Sequence, residues 1–223
     1  MDLSTLKWDA KGLVAVVVQD RCNGEVRMLG YANREAVEKT LSTGLAHFYS
    51  RSRSSLWCKG ETSGNTLQVS GVFADCDGDA LVYLADPNGP TCHTGQETCF
   101  FRQVAEGGVQ DAVPARPVMS ALWQTLEARR DADAVKSYTR MLLTKGSAKI
   151  AEKVSEEAEE FGRALQSETP DRVVSEGADV LYHVLVGLLA RGVSLRDVEQ
   201  ELARRFVMSG LEEKASRKAD GSH

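Results

Sequence analysis

The hydrophobic period changes once along this chain, and that change limits what the chain can fold into more than any composition value. From Gly12 to about Phe101 the apolar residues come in short β-branched runs such as Leu13-Val-Ala-Val-Val-Val18, the pattern of buried and half-buried strands. From Val118 onward they recur at three- and four-residue spacing, which is the helical period. Between the two lies Glu106–Pro117, with two glycines, two prolines and no periodicity, a linker composition. The sequence therefore predicts two domains: a β-rich α+β domain over residues 1–106, a linker over 107–117, and an all-α helical bundle over 118–223.

Local signals fill in both halves. The first predicted strand, 13–18, turns at Asn23-Gly24 into a returning strand, Glu25–Tyr31. Asn33 is a candidate N-cap for a helix ending at Thr43, with Gly44 as its stop. Ala46–Ser50, Thr66–Phe73 and Ala80–Ala85 read as further strands, and Asp86–Pro90 as a turn. In the second half, helices are predicted over Val118–Arg130, Val135–Leu143, Ala148–Gln166, Asp171–Ala190 and Leu195–Phe206. Gly146 and Gly192 punctuate them, and Pro170 stands where a helix can begin. The polar segment from Lys214 to His223 reads as a frayed end.

With a net charge of −5, there is no electrostatic case for nucleic acid as a partner. No apolar run approaches membrane-spanning length, and the first residues have no signal-peptide shape; the expectation is a cytoplasmic protein with no membrane partner. All five cysteines lie in the first half. In a reducing compartment, Cys76, Cys92 and Cys99 read better as metal ligands than as disulfides, while Cys22 and Cys58 read as bystanders.

The segment Cys92-His-Thr-Gly-Gln-Glu-Thr-Cys99 and the preceding Asp75-Cys-Asp-Gly-Asp79 gather soft thiolates and hard carboxylates. Thiolates suit zinc and carboxylates suit magnesium, so the mixture points to two different metals. Three cysteines, Cys76, Cys92 and Cys99, leave a tetrahedron open for water, the ligand count of a catalytic zinc site. A closed structural site with His93 as fourth ligand is the alternative. Cys92 and His93 are adjacent, however, and neighbouring side chains seldom both reach one ion, so His93 stays a candidate acid/base or substrate contact. A calcium loop starting at Asp75 is rejected because Ala80 stands where glycine is needed. A phosphatase-like aspartyl nucleophile would leave the cysteines unexplained.

Two further patterns carry chemistry. Ser50–Asn65 holds Arg51, Arg53, Lys59, Glu61, Thr62 and Ser63 among glycines, offering donors for a phosphate, with Trp57 able to stack on a base. In the second half, Glu157/Glu160 and Glu176/Asp179 are spaced three apart, so each pair shares one helix face. Two such helices side by side would bring four carboxylates together, an arrangement that makes sense with a cation between them. The plainer reading of the glutamate run is a solvated face. Lys149 and Lys153 could serve phosphates or pair with their own glutamates.

Together these motifs resemble a known family. Trp8-Asp, Gly12-Leu-Val, Ser50-Arg-Ser-Arg53, Leu56-Trp57, Lys59-Gly-Glu-Thr-Ser-Gly64, Asp75-Cys-Asp-Gly-Asp-Ala80 and Cys92-His-Thr-Gly95 with Cys99-Phe resemble phosphoribosyl-AMP cyclohydrolases. Ser137-Tyr-Thr139, Lys149-Ile-Ala-Glu-Lys153, Glu156-Glu-Ala158 and Glu176 with Asp179-Val-Leu-Tyr-His183 resemble phosphoribosyl-ATP pyrophosphatases. The order matches the bifunctional enzymes of bacterial histidine biosynthesis. The resemblance implies hydrolysis of the α–β phosphate bond of phosphoribosyl-ATP by the helical half. Water then adds to C6 of the adenine ring and the N1–C6 bond opens in the β-rich half. It implies a homodimer in which zinc is held by Cys76 of one subunit with Cys92 and Cys99 of the other. It implies magnesium at Asp75, Asp77 and Asp79, and again at Glu157, Glu160, Glu176 and Asp179. Substrate contacts would include Ser137 and Thr139. Cys58, inside the substrate motif, departs from the pattern and could close the zinc shell. Two other readings remain: a zinc cyclohydrolase whose helical half only dimerises, and a non-catalytic nucleotide-binding protein with structural zinc.

Overall fold

The computed structural model describes residues 3–112, 116–130 and 137–206. The chain divides into two compact units, Met1–Pro117 and Val118–His223.

In the first unit, β1 (Val14–Asp20) alternates inward and half-exposed residues, so Val14, Val16, Val18 and Asp20 face inside. It turns at Asn23-Gly24, where Gly24 takes a φ of 73°, and pairs antiparallel with β2 (Val26–Ala32). Helix α1 (Arg34–Thr43) follows at once. The Asn33 side chain accepts the Ala36 N–H, and Gly44, in the left-handed region, stops it. β3 (His47–Ser50) pairs with β4 (Ser55–Cys58) in a separate two-stranded sheet. β5 (Leu67–Ala74) and β6 (Ala80–Pro87) complete the main sheet in the order β2-β1-β6-β5, with β1 and β6 parallel. Val16, Val18, Phe48, Leu67 and Tyr83 are fully buried in one core, each stabilising the fold by roughly 1.5–3 kcal/mol for a large apolar side chain.

Three strands were not legible in the sequence. β4 lies inside the stretch read only as a donor-rich loop. The segment read as a linker is structured at its start: β8 (Gly108–Asp111) lies within it and forms a hairpin with β7 (Arg102–Ala105), which ends just before it. Gly107 and Gly108 supply its turn with φ of 103° and 122°. These glycines mark a tight reversal rather than a flexible connection.

The second unit is helical throughout its described residues: α2 (Val118–Arg130), α3 (Tyr138–Lys145), α4 (Ser147–Ser167), α5 (Pro170–Ala190) and α6 (Leu195–Phe206). The Lys214–His223 end lies outside the described residues. Ser137 caps α3 by accepting the Arg140 N–H, and Pro170 opens α5. Only residues 168–169 separate α4 from α5, which makes them antiparallel neighbours. Leu126, Leu142, Ile150, Leu185, Val186 and Leu189 form their core. By length and composition α5 could cross a membrane, contrary to the expectation that no run was long enough. It nevertheless carries Glu176 buried at 3% exposure and contributes to the helical core, as a bundle helix does.

Candidate active sites

In the first unit a cavity of about 510 Å³ opens beside β4, lined by Arg53, Trp57, Cys58, Lys59, Glu61, Thr62, Ser63, Cys92, His93 and Cys99 among others. Its shape follows from local geometry. β4 delivers Trp57 and Cys58, and Phe48 stacks on Trp57 with ring centroids 5.1 Å apart, so one face of the indole is already covered. Gly60, at φ 86°, then reverses the chain; a Cβ there would lie 2.5 Å from the Asn65 backbone. That close approach lets the Lys59 ammonium donate to the Asn65 carbonyl at 3.2 Å. Asn65 and Gly95, which end two of the quoted motifs, also line the cavity, as do Met28 and Thr91, which the sequence had not singled out. Arg51 is not among the lining residues; its guanidinium lies 3.9 Å from the centre of the Tyr31 ring.

The thiols in this cavity differ. Burial is the largest influence on Cys92 and pushes it up. Hydrogen bonds from Thr94, the Cys99 thiol and the His93 backbone outweigh burial, leaving Cys92 below its ordinary value. The Thr94 hydroxyl donates to its sulfur at 3.1 Å. Cys99 is pushed up to about 11, by burial first and then by neighbouring Cys92. Cys58 is raised by burial and by Glu61, against Lys59. Lys59 is lowered by burial, opposed by the thiols of Cys99, Cys92 and Cys58. Cys92 and Cys99 are thus a soft donor pair beside a cation. Cys76 is exposed and does not join them in a potential metal-binding group within the chain. One chain holds two of the three predicted zinc ligands together.

Cys76 instead sits among Asp75, Asp77 and Asp79, whose carboxylate oxygens lie within 4.8 Å of one another and are exposed. Asp75 Oδ1 accepts the N–H groups of Gly78, Asp79 and Ala80 at 2.9, 3.0 and 3.2 Å. These bonds, the Ala80 one first, hold Asp75 below the ordinary carboxylate range. Repulsion from Asp77, then the contact with Asp75, raises Asp79. The cluster has the donor set of a hard cation site.

In the second unit, α4 and α5 bring Glu157, Glu176 and Asp179 to within 4.8 Å of one another. Glu157 and Glu176 are buried, at 8% and 3% exposure, so they require counter-charge. Lys153 lies 2.8 Å from Glu157 and 3.0 Å from Glu156, and these bonds raise the lysine further. Arg172 lies 2.5 Å from Glu176. Glu160, predicted as a fourth ligand, is outside the group and pairs with Arg163 at 3.4 Å. Lys149 pairs with Glu152 at 2.7 Å. Thr139 is fully buried with its hydroxyl 2.8 Å from that of Tyr182, while Ser137 caps α3. Tyr138, Tyr182 and His183, quoted in the sequence only as parts of motifs and given no role, form an aromatic cluster. Tyr138 Oη is 3.2 Å from His183 Nε2, and His183 Nδ1 is 2.8 Å from the Asp179 carbonyl and 3.8 Å from Glu157. His183 occupies the next turn after Asp179, which is the spacing that could have revealed it.

Comparison with known proteins returns two family models. One, described as phosphoribosyl-AMP cyclohydrolase, matches residues 28–101; the other, phosphoribosyl-ATP pyrophosphohydrolase, matches residues 119–206. The chain is 43% identical to the chloroplastic histidine biosynthesis bifunctional protein hisIE of Arabidopsis thaliana, across 96% of this chain and 80% of that relative. It is 40% identical to the histidine biosynthesis bifunctional protein HisIE of Wolinella succinogenes, across 97% of each. For the HisIE protein of Aquifex aeolicus the values are 43%, 90% and 98%.

Proposed function

The chain belongs to the family of bifunctional histidine-biosynthesis enzymes that join a phosphoribosyl-AMP cyclohydrolase to a phosphoribosyl-ATP pyrophosphohydrolase, and from that premise we propose how each half works. We assign the cyclohydrolase to residues 1–106, the connection to 107–117 and the pyrophosphohydrolase to 118–223, in a cytoplasmic homodimer.

The helical half acts first. Glu157, Glu176 and Asp179 hold magnesium, with Glu160 one helical turn away as a further ligand. The observation carrying this assignment is the gathering of two buried carboxylates and one exposed carboxylate on facing helices. Bound magnesium supplies charge neutralisation on the polyphosphate. Lys153 and Lys149, now ion-paired along α4, turn toward the phosphates, and Arg172 holds Glu176 in place. Ser137 and Thr139 serve the substrate indirectly by fixing the start of α3. Water attack at the α–β linkage releases pyrophosphate.

In the other half, Cys92 and Cys99 with Cys76 of a second copy hold zinc. The donor chemistry fits, because two adjacent thiols line the cavity and the third is exposed for sharing. Bound zinc supplies Lewis-acid activation of water near neutral pH. Arg53, Lys59 and the Glu61-Thr62-Ser63 turn bind the phosphate, and Trp57 supports the base with its uncovered surface. Arg51 reaches the substrate from the rim, and His93 moves the proton that accompanies addition at C6 and opening of the N1–C6 bond. Asp75, Asp77 and Asp79 hold a second magnesium beside the shared thiol.

The test is product analysis with phosphoribosyl-ATP, magnesium and trace zinc, quantifying pyrophosphate and ring-opened product separately. Both products are expected. Pyrophosphate alone would support the carboxylate assignment and refute an open catalytic zinc site, with Cys58 the first suspect for a closed shell. Ring opening only from supplied phosphoribosyl-AMP would refute the carboxylate assignment.

A further inference from the structure

A buried charge network lies behind the thiol pair, and the reaction as derived does not use it. Arg27, at 5% exposure, is the second residue of β2. Its Nε and Nη2 donate to Asp20 Oδ2 at 3.0 and 2.6 Å. Its Nη1 lies 3.2 Å from Glu25 and donates to the Glu97 backbone carbonyl at 3.1 Å. The Arg27 carbonyl in turn accepts the Cys99 N–H at 2.8 Å. The Thr98 hydroxyl donates to the Val26 carbonyl at 2.7 Å. Three consecutive residues of the cysteine segment are therefore tied to the start of β2.

A second cation completes the network from well beyond that segment. Arg116, past the β7–β8 hairpin, places Nη1 3.0 Å from Glu25 and 2.8 Å from Glu97. Its side chain is 9% exposed, whereas that of Glu97 is 56% exposed. Arg27 pairs with two buried carboxylates, Asp20 and Glu25, so Arg116 also supplies counter-charge to the second of them. What Arg116 adds is a bridge from buried Glu25 to Glu97, and Glu97 lies inside the segment Cys92–Cys99. An arginine can hold two carboxylates at once in fixed directions, so the bridge restrains the segment through Glu97, which does not line the cavity.

We propose that Arg116 is a positioning residue for the thiol pair: by joining Glu25 to Glu97 it locks the Cys92–Cys99 segment against β2 and fixes how the two sulfurs are presented to a metal. The inference rests on the reading that these thiols bind zinc. Supporting residues around a metal site commonly influence affinity by roughly 10–100-fold, and Arg116 acts through such a support.

The experiment measures zinc affinity of the full chain by competition with a chromophoric chelator, for wild type, Arg116→Met, Arg116→Lys, Glu97→Gln and Cys99→Ser. Arg116→Met and Glu97→Gln are expected to weaken zinc binding roughly 10-fold or more. Arg116→Lys should recover part of the loss, and pyrophosphate release should be unchanged in the Arg116 and Glu97 variants. In metal-free protein, Arg116→Met should also speed alkylation of Cys99. If Arg116→Met does not fold, Glu97→Gln, at a largely exposed side chain, decides the matter alone. Unchanged affinity in the Arg116 and Glu97 variants with loss in Cys99→Ser overturns the proposal and leaves the zinc reading intact. Unchanged affinity in Cys99→Ser as well removes both.

Discussion

The carboxylate site and the thiol site are built by opposite means. Glu157, Glu176 and Asp179 converge within one chain because two regular helices lie side by side. Helical spacing alone aligns each contribution. The thiol site draws on a four-residue strand, the turn at Gly60 and a segment pinned by distant charges, and still gathers only two of its three sulfurs in one chain. A site laid on helices is a local property of the sequence. A site laid on loops is completed by whatever holds those loops, including, on our reading, a second subunit.

The sharpest way to break this comparison is to silence each site separately. Glu176→Gln should lower pyrophosphate release by about 100-fold or more while ring opening of supplied phosphoribosyl-AMP continues; Cys99→Ser should do the reverse. Steady-state assays of the two products would reveal it, and loss of both in either variant would refute independent sites. A sharing test comes next. Cys76→Ser and Cys99→Ser proteins, each inactive in ring opening, should regain about a quarter of wild-type activity after mixing and re-equilibration, because random pairing yields mixed dimers with one intact site. No recovery would place all three ligands in one chain.

Smaller effects concern the scaffolds. Tyr83 is pushed up to about 12 by burial, so its folded pKa exceeds the unfolded value. Stability is thus retained below pH 10 and lost as pH rises from about 10 to 12, by about 2–3 kcal/mol for a shift of this size. Tyr83→Phe should flatten the alkaline limb of a denaturant-midpoint profile, and an unaltered limb would exclude this group as its source. Least of all, Asn33→Ala should cost the first unit about 1 kcal/mol through loss of the α1 cap, measured as a shift in the chemical denaturation midpoint.

Much of this was readable from the residues. The strand run at Val14–Val18, the Asn33 cap and the Gly44 stop, and the three-residue carboxylate spacings all express local periodicity or backbone preference. What stayed hidden depended on partners remote in sequence. β4 is four residues of mixed polarity with no alternation, and it forms because β3 lies beside it. That strand places Cys58, read as a bystander, on the cavity wall. Glu160 satisfies the helical spacing as well as Glu157 does, yet it pairs with Arg163 instead. Glu25 and Arg27 carry no local signal of burial, and only the fold closes them in with Asp20 and Arg116.

The parallel pairing of β1 with β6 also has a kinetic side. Val16 finds Leu81 opposite it, and Gln19 finds Leu84, so the central ladder of the first unit joins segments far apart along the chain. During synthesis β1 must wait, with its row of valines unsheltered, until β6 has been made. The α4–α5 hairpin needs only its own short connection. Folding rate falls as contacts become less local, so the earlier-made half is expected to be the slower to fold and the more exposed to misassembly.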